Sequence, residues 1–221
     1  MIDFYFIRHA ESEKNLNRRQ IGGRSLYTPL TKTGIIQSWQ LAKRFNEDNI
    51  VFDEIYASTA MRTSETAKIV AGDIYFPLEK IIYSDDILEL DQGEWEGRLK
   101  SEIYTTERVT EINKDNWNYK APGGESQRET EERKLKWVDE TFLHRYQENI
   151  RVAVFDHGLG IKCMLRGIMK FDPGMTYKIV LDNTSITQLQ YNDKGWHLLS
   201  VNDVEHLSGM KRVKDSNNLE N

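Results

Sequence analysis

The first patterned stretch of the chain, Ile2 to Ile7, is aromatic or β-branched apart from Asp3, the make-up of a short buried strand. Regularity resumes at Thr31, a candidate helix N-cap. Ile35, Trp39 and Ala42, with Leu41 and Phe45 beside them, recur at helical spacing and predict a helix laid on a sheet. Glu54 to Ala57 then predicts a strand, Arg62 to Ala71 a helix, and Lys80 to Tyr83 a short strand before a loop through Gly93 and Gly97. From Leu99 to about Asn118 the rhythm breaks. Apolar positions are scattered there (Ile103, Tyr104, Val109, Ile112), and a turn-rich segment at 121–126 follows, so this stretch predicts a mobile inserted cap. Glu125 to Tyr146 reads as a long helix carrying Leu135, Val138, Phe142 and Tyr146, and it leads into a buried strand, Arg151 to Asp156. Gly158 opens a helix with Ile161, Met164, Leu165 and Ile168 on one face. Two last strands, Ile186 to Tyr191 and Trp196 to Val201, are joined by the turn Asn192 to Gly195. The alternation predicts a three-layer α/β/α sandwich, with a mostly parallel central sheet flanked by helices and a small cap insertion. One domain is expected over 1–208, with the cap at about 98–125 and a polar, frayed tail at 209–221.

Composition narrows the classes. The chain has 221 residues, enough for a substantial core. Its 30 basic and 35 acidic side chains are interspersed, with a net charge of -5, which argues against nucleic acid as a partner. The single cysteine, Cys163, sits in an apolar-periodic stretch and reads as a packed thiol. The start has no signal-peptide core, and no stretch is long and apolar enough to span a bilayer, so no membrane association and a cytoplasmic location are expected.

Two predicted strands run straight into a histidine, His9 and His157, and in α/β sheets ligands bind at the carboxyl ends of strands. His144, His197 and His206 lack that placement and read as structural. His9 also follows Arg8, whose guanidinium stays protonated and is costly to bury unless an anion meets it. A phosphoryl group is such an anion. Phosphoryl transfer without a metal needs fixed positive donors, an in-line nucleophile and an acid for the leaving oxygen. Arg8 and Arg62 offer planar forks for phosphate, and Arg62 stands where a strand gives way to a helix start. For the acid, the residues alone leave Asp85, Asp86, Glu89, Asp91 and Glu94 open. No two histidines have the spacing of a metal-binding helix, so neither a metal nor any other cofactor is expected.

Ile7-Arg8-His9-Ala10-Glu11-Ser12, with Asn15, resembles the signature of the histidine phosphatase superfamily, the phosphoglycerate-mutase-like family. In the family's order, Ser58 to Ala67 resembles its second-arginine motif, Leu88 to Gly97 its acid-bearing loop and Pro122 to Ser126 the turn after its cap. Asp156-His157-Gly158 resembles its second-histidine motif, and Asn183 to Thr187 a late strand. The resemblance implies His9 as the nucleophile, Glu89 as the proton donor, and Arg8, Arg62 and His157 as ligands of the phosphoryl group. It also brings Asn15, Gly22 and Gly158 into substrate binding. Ala10 departs from the family, which usually has glycine there. An added methyl group can crowd the backbone's approach to phosphate or forbid a positive φ, but alanine is the smallest possible change and a preserved pocket is expected. Arg18, Arg19 and Arg24 follow the nucleophile closely enough to reach the pocket mouth, either to grip a carboxylate or second phosphate or, as is favoured, to remain solvated. Trp117, Tyr119 and Lys120 of the cap either meet the organic part of a substrate or pack the insertion.

These readings imply a metal-independent, histidine-acid-phosphatase-like phosphomonoesterase acting on a small phosphorylated metabolite, as a monomer or homodimer. The rival is mutase-type transfer. It is disfavoured because Asn15 to Thr28 has no tryptophan and residues 98–120 carry five basic and four acidic side chains, not a strongly basic cap. A catalytically silent phospholigand-binding module is disfavoured because His9, Arg8, Arg62, Glu89 and His157 are all present.

Overall fold

Alternation along two central strands divides the core into halves. In the computed structural model, which describes residues 1–210, β1 (Ile2–Arg8) turns Ile2, Phe4 and Phe6 to one face of a sheet and Tyr5 and Ile7 to the other. Residues 211–221, and with them most of the expected tail, lie outside the described residues. The sheet continues with β2 (Glu54–Ser58), β3 (Ile82–Ser84), β4 (Ile150–Asp156), β5 (Ile186–Asn192) and β6 (Gly195–Asp203), in the order β3-β2-β4-β1-β5-β6. All pairings among β1 to β4 are parallel, whereas β5 is antiparallel to both of its neighbours. The sheet is thus mixed but mostly parallel, flanked by helices on both faces.

Between the strands lie α1 (Glu13–Leu16), α2 (Lys32–Glu47), α3 (Met61–Asp73), α4 (Lys100–Ile103), α5 (Thr106–Lys114), α6 (Gln127–Phe142) and α7 (Gly158–Met169). Helices α6 and α7 cover one face, where Trp137, Phe142, Ile161 and Leu165 meet Phe4 and Phe6. Helices α2 and α3 cover the other, where Phe45 and Phe52 pack edge-on against Tyr5. Ser126 caps α6 in a reciprocal capping box with Glu129, which fixes where that helix starts. It ends at Phe142, one turn before the expected Tyr146, and tightens into a 3₁₀ turn at Leu143–Arg145.

Two expectations shift. Thr31 does cap α2, accepting from the Gly34 amide at 3.0 Å, but the buried face of the helix runs through Gly34, Gln37, Ser38, Leu41, Ala42 and Phe45, leaving Trp39 51% exposed. The cause is the loop after β1. Gly34 packs so closely that a Cβ there would sit 2.0 Å from the Glu11 carbonyl oxygen, and Gln37 Oε1 accepts from the Glu11 amide at 2.8 Å. The inserted stretch, expected as irregular, contains α4 and α5.

Candidate active site

Strand register brings the two histidines together. Arg8 of β1 lies opposite Asp156 of β4, so His9 and His157 leave the sheet side by side at its carboxyl end, with ring centroids 5.4 Å apart. The His9 amide donates to the Asp156 carbonyl at 2.9 Å. From the β5 side, the Thr184 amide donates to the Arg8 carbonyl at 3.0 Å and Asn183 Nδ2 to the His9 carbonyl at 2.9 Å. Both neighbouring strands therefore grip the backbone of the candidate nucleophile.

Its ring is held as well. His9 Nδ1 lies 2.7 Å from the Ala10 carbonyl, which can only accept, so Nδ1 carries the proton and Nε2 the lone pair. Nε2 accepts from Arg62 Nε at 3.1 Å. Arg62 Nη2 donates to His157 Nδ1 at 2.8 Å, which leaves the proton of that ring on Nε2, 2.8 Å from Ser58 Oγ. Burial first, and then the charge of Arg62, holds both imidazoles well below the ordinary histidine range, and Arg8 pushes the same way. Both rings are neutral at pH 7.

Arg62 is the hub. It sits in the first turn of α3 at 4% exposure, and burial lowers it to about 10, partly offset by Glu89, so it stays protonated. Besides the two histidines it reaches the carbonyls of Gly23 (3.2 Å), Arg24 (2.9 Å) and Ser25 (3.0 Å), tying that loop to the site. Arg8, equally buried, donates to the Leu181 carbonyl. Gly158 packs closely on Arg8, where a Cβ would lie 3.2 Å from Arg8 Nε. Glu89 is anchored at the N-terminus of α7: Oε1 accepts from the Gly160 amide at 2.8 Å and the Leu90 amide at 3.0 Å, and Oε2 from the Leu159 amide at 3.1 Å. Beneath this turn Lys134 of α6 donates to Asp156 Oδ1 at 2.8 Å and to the Ile87 carbonyl at 3.0 Å, with both side chains of the pair buried.

A cavity of about 210 Å³ opens over these groups. Arg8, His9, Arg62, Glu89, Asn15, Gly22 and Gly158 all line it. His157, expected at the phosphoryl group, stands behind Arg62 with both nitrogens engaged and does not line it. Asn15 Oδ1 accepts from the Ser12 amide at 2.9 Å, which turns the Nδ2 end of the amide away from that partner. Ala10 is fully buried, has no positive φ and stays out of the wall.

Of the three arginines that follow His9, Arg18 borders the cavity, Arg19 is exposed away from it, and Arg24 is bound by Asp91 and Glu125. Tyr119 and Lys120 line the cavity, whereas Trp117 packs under the guanidinium of Arg166. Sequence reasoning missed Lys14, Lys100, Glu125, Gln127 and Tyr177 in the wall. Lys14 adjoins Asn15 and was findable from that; the others carry no local signal. Among the described residues no group of three or more His, Cys, Asp or Glu side chains could hold a metal ion, and no helix is long and apolar enough to cross a membrane.

Comparison with known proteins adds to this geometry. A family model described as the histidine phosphatase superfamily, branch 1, matches residues 4–204. A Proteus mirabilis protein named "probable phosphoglycerate mutase" is 28% identical over 215 residues, covering 94% of this chain and 96% of the relative. A mutant phosphoserine phosphatase from Entamoeba histolytica, solved with phosphoserine, superposes with a TM-score of 0.79 at 26% identity, covering 94% of this chain and 100% of that one. The alpha-ribazole phosphatase of Shigella flexneri shares the fold with a TM-score of 0.77 at 21% identity, covering 91% of this chain and 96% of the other.

Proposed function

The chain belongs to the histidine phosphatase superfamily, branch 1, and on that premise we propose that it hydrolyses small phosphate monoesters through a phosphohistidine on His9. The observation that carries the reading is the locked tautomer: the Nδ1 proton is committed to the Ala10 carbonyl, so the Nε2 lone pair is the ring's reactive end. In the first step Nε2 bonds to phosphorus while the bond from phosphorus to the alcohol oxygen breaks, and the departing alkoxide takes a proton from Glu89. In the second, the Glu89 carboxylate takes a proton from water as the water oxygen bonds to phosphorus and the nitrogen–phosphorus bond breaks. Oε2 of Glu89 has one backbone donor against two for Oε1, which makes it the oxygen that exchanges the proton.

In this reading Arg8, Arg62, Asn15 and the N-terminus of α7 at Gly158, which line the cavity, bind the phosphoryl oxygens. As phosphorus takes the lone pair of His9, the Arg62 Nε–H that now points at Nε2 is released to an equatorial oxygen. His157 acts through Arg62 in this scheme, by fixing the guanidinium. His9→Ala is expected to abolish turnover of a phosphate monoester with an unchanged circular-dichroism spectrum, and wild-type protein quenched during turnover should carry acid-labile phosphate on His9. Normal turnover in the variant would overturn the mechanism.

A second reading, mutase-type transfer, is favoured by the name of the Proteus mirabilis relative. The two part on one assay. Phosphate release that needs no 2,3-bisphosphoglycerate is the expected result, and interconversion of 2- and 3-phosphoglycerate would replace the phosphatase reading with the mutase one.

A further inference from the structure

Helix α6 turns Thr130, Lys134, Trp137 and Val138 inward, so a lysine occupies a position in the helix's core stripe. Its side chain is fully buried, and so is that of its partner Asp156. Two apolar side chains of like volume often hold a fold as well as such a pair or better, because taking both charges out of water costs as much as their attraction returns. What the ion pair adds is direction.

Three bonds set that direction. Lys134 Nζ donates to the Ile87 carbonyl at 3.0 Å and to Asp156 Oδ1 at 2.8 Å, and Asp156 Oδ1 also accepts from the His157 amide at 2.6 Å. Glu89 stands two residues beyond Ile87, and the Leu159 and Gly160 amides that receive its carboxylate stand three and four residues beyond Asp156. One ammonium therefore joins the backbone that carries the candidate proton donor to the turn that binds it. The fit is close: a Cβ on Gly160 would come 2.5 Å from Lys134 Cε and 2.7 Å from Nζ, so the lysine lies against the residue whose amide donates to Glu89 Oε1. Its neighbour Arg133 donates to the carbonyls of Asp86 and Leu88, at 2.6 and 3.2 Å, which completes a row of three held carbonyls just before Glu89.

We propose that Lys134 is a positioning residue for acid catalysis: through Ile87 and Asp156 it fixes the Glu89 carboxyl group against the leaving oxygen. The proposal rests on the reading of Glu89 as proton donor. Lys134 does not line the cavity, so it touches no substrate and its effect on the reaction passes through Glu89. A proton donor that is slightly misplaced fails most where the leaving oxygen most needs its proton. An alkoxide needs it, whereas a nitrophenolate is a stable anion and leaves without it.

The test uses the doubly substituted Lys134→Met, Asp156→Asn protein, which strands neither charge and keeps an acceptor for the His157 amide. Values of kcat/KM are compared for benzyl phosphate and 4-nitrophenyl phosphate, compounds of similar size whose leaving oxygens are an alkoxide and a stabilised phenolate. This constant reports transfer to His9 and not the later hydrolysis. Benzyl phosphate should lose about tenfold or more and 4-nitrophenyl phosphate less than about threefold. The ratio of the two is blind to the fraction of protein that is folded, so a merely structural role would leave it unchanged even if the variant melts earlier. Glu89→Gln protein should show the same preferential loss, and adding the Lys134 and Asp156 substitutions to it should cost benzyl phosphate less than about threefold more. Equal losses for the two compounds in the double variant, or a further loss of about tenfold on the Glu89→Gln background, would overturn the inference while leaving Glu89 as the donor. Equal losses in Glu89→Gln protein itself would overturn the proton-donor reading, and the inference with it.

Discussion

Ala10 replaces the glycine expected beside His9, yet its backbone needs no glycine: φ is not positive, its amide donates to Thr66 Oγ1 at 3.0 Å, and its carbonyl holds the His9 proton. The methyl group is an ordinary buried contact. Ala10→Gly should therefore lower stability by about 1 kcal/mol through the freer unfolded chain, with no gain in kcat, as measured by urea unfolding and steady-state kinetics. A rise in kcat would mean that the methyl group crowds the phosphate after all. The buried histidines predict a pH dependence of stability. His9 and His157 lie well below the ordinary range in the folded protein, and His206 is held at about 4, chiefly by burial. As pH falls through about 6.5 the unfolded chain takes up these protons first. The stability they confer is full above that pH and declines below it, by up to about 1.4 kcal/mol per pH unit for each ring, down to about pH 4 for His206. Unperturbed carboxylates contribute little between about pH 7 and 5.5, and Glu131 and Asp156, which burial pushes up, act in the opposite sense, so a loss of stability by urea unfolding across that window reports the histidines. A flat profile there would show that the rings are not neutral in the folded state.

Among the elements, the strands that end in His9 and His157 were legible because both signals are local: a β-branched or aromatic run, then a charged or ring residue where the run stops. The face of α2 was not, because Gly34 and Gln37 turn inward to serve Glu11, a demand set by the site loop and invisible to apolar periodicity. The cap helix α5 escaped for a related reason: Val109 and Ile112 face the cavity, so the helix has no stripe against the main core. Lys100, Gln127 and Tyr177 come from three separate elements, and only the folded chain puts them in one wall. Lys134 was hidden in the same way, as one charge among many on α6. In the fold it is fully buried and ties α6 to the end of β4 and to the carbonyl of Ile87, two residues before Glu89. Burial pushes its partner Asp156 up despite the pairing, so the carboxylate depends on that ammonium. Lys134→Met should cost about 3–5 kcal/mol in denaturant unfolding, the usual result of stranding one buried partner. A loss under about 1 kcal/mol would show that the carboxyl group is indifferent to the pairing.

At the scale of the whole molecule, the cap must stay docked on the sheet-bearing body for the cavity to keep its roof, since Asn116 and Tyr119 line it. Its apolar side chains pack on Ile21 and Trp95, and polar contacts tie it to the neighbourhood of α6. Asn116 Oδ1 accepts from Gln127 Nε2 at 2.9 Å, Lys120 pairs with Glu129 at 2.7 Å, and the Trp117 carbonyl accepts from the Arg128 amide at 3.2 Å. The Trp117 ring lies against Arg166, itself 2% exposed on α7 and paired with Glu131 of α6. Through Arg166 that stack reaches both helices of the covering layer. A desolvated cation–π contact is worth about 2 kcal/mol, or roughly thirtyfold in a binding constant. Trp117 touches neither the cavity nor the reacting groups, so its loss should act on how often the roof is in place rather than on the chemistry beneath it. Trp117→Ala is therefore expected to raise KM by about tenfold or more while kcat falls by less than about threefold, with faster amide hydrogen exchange across α5. A variant with lowered kcat but unchanged KM and unchanged exchange would show that the cap is held by its other contacts.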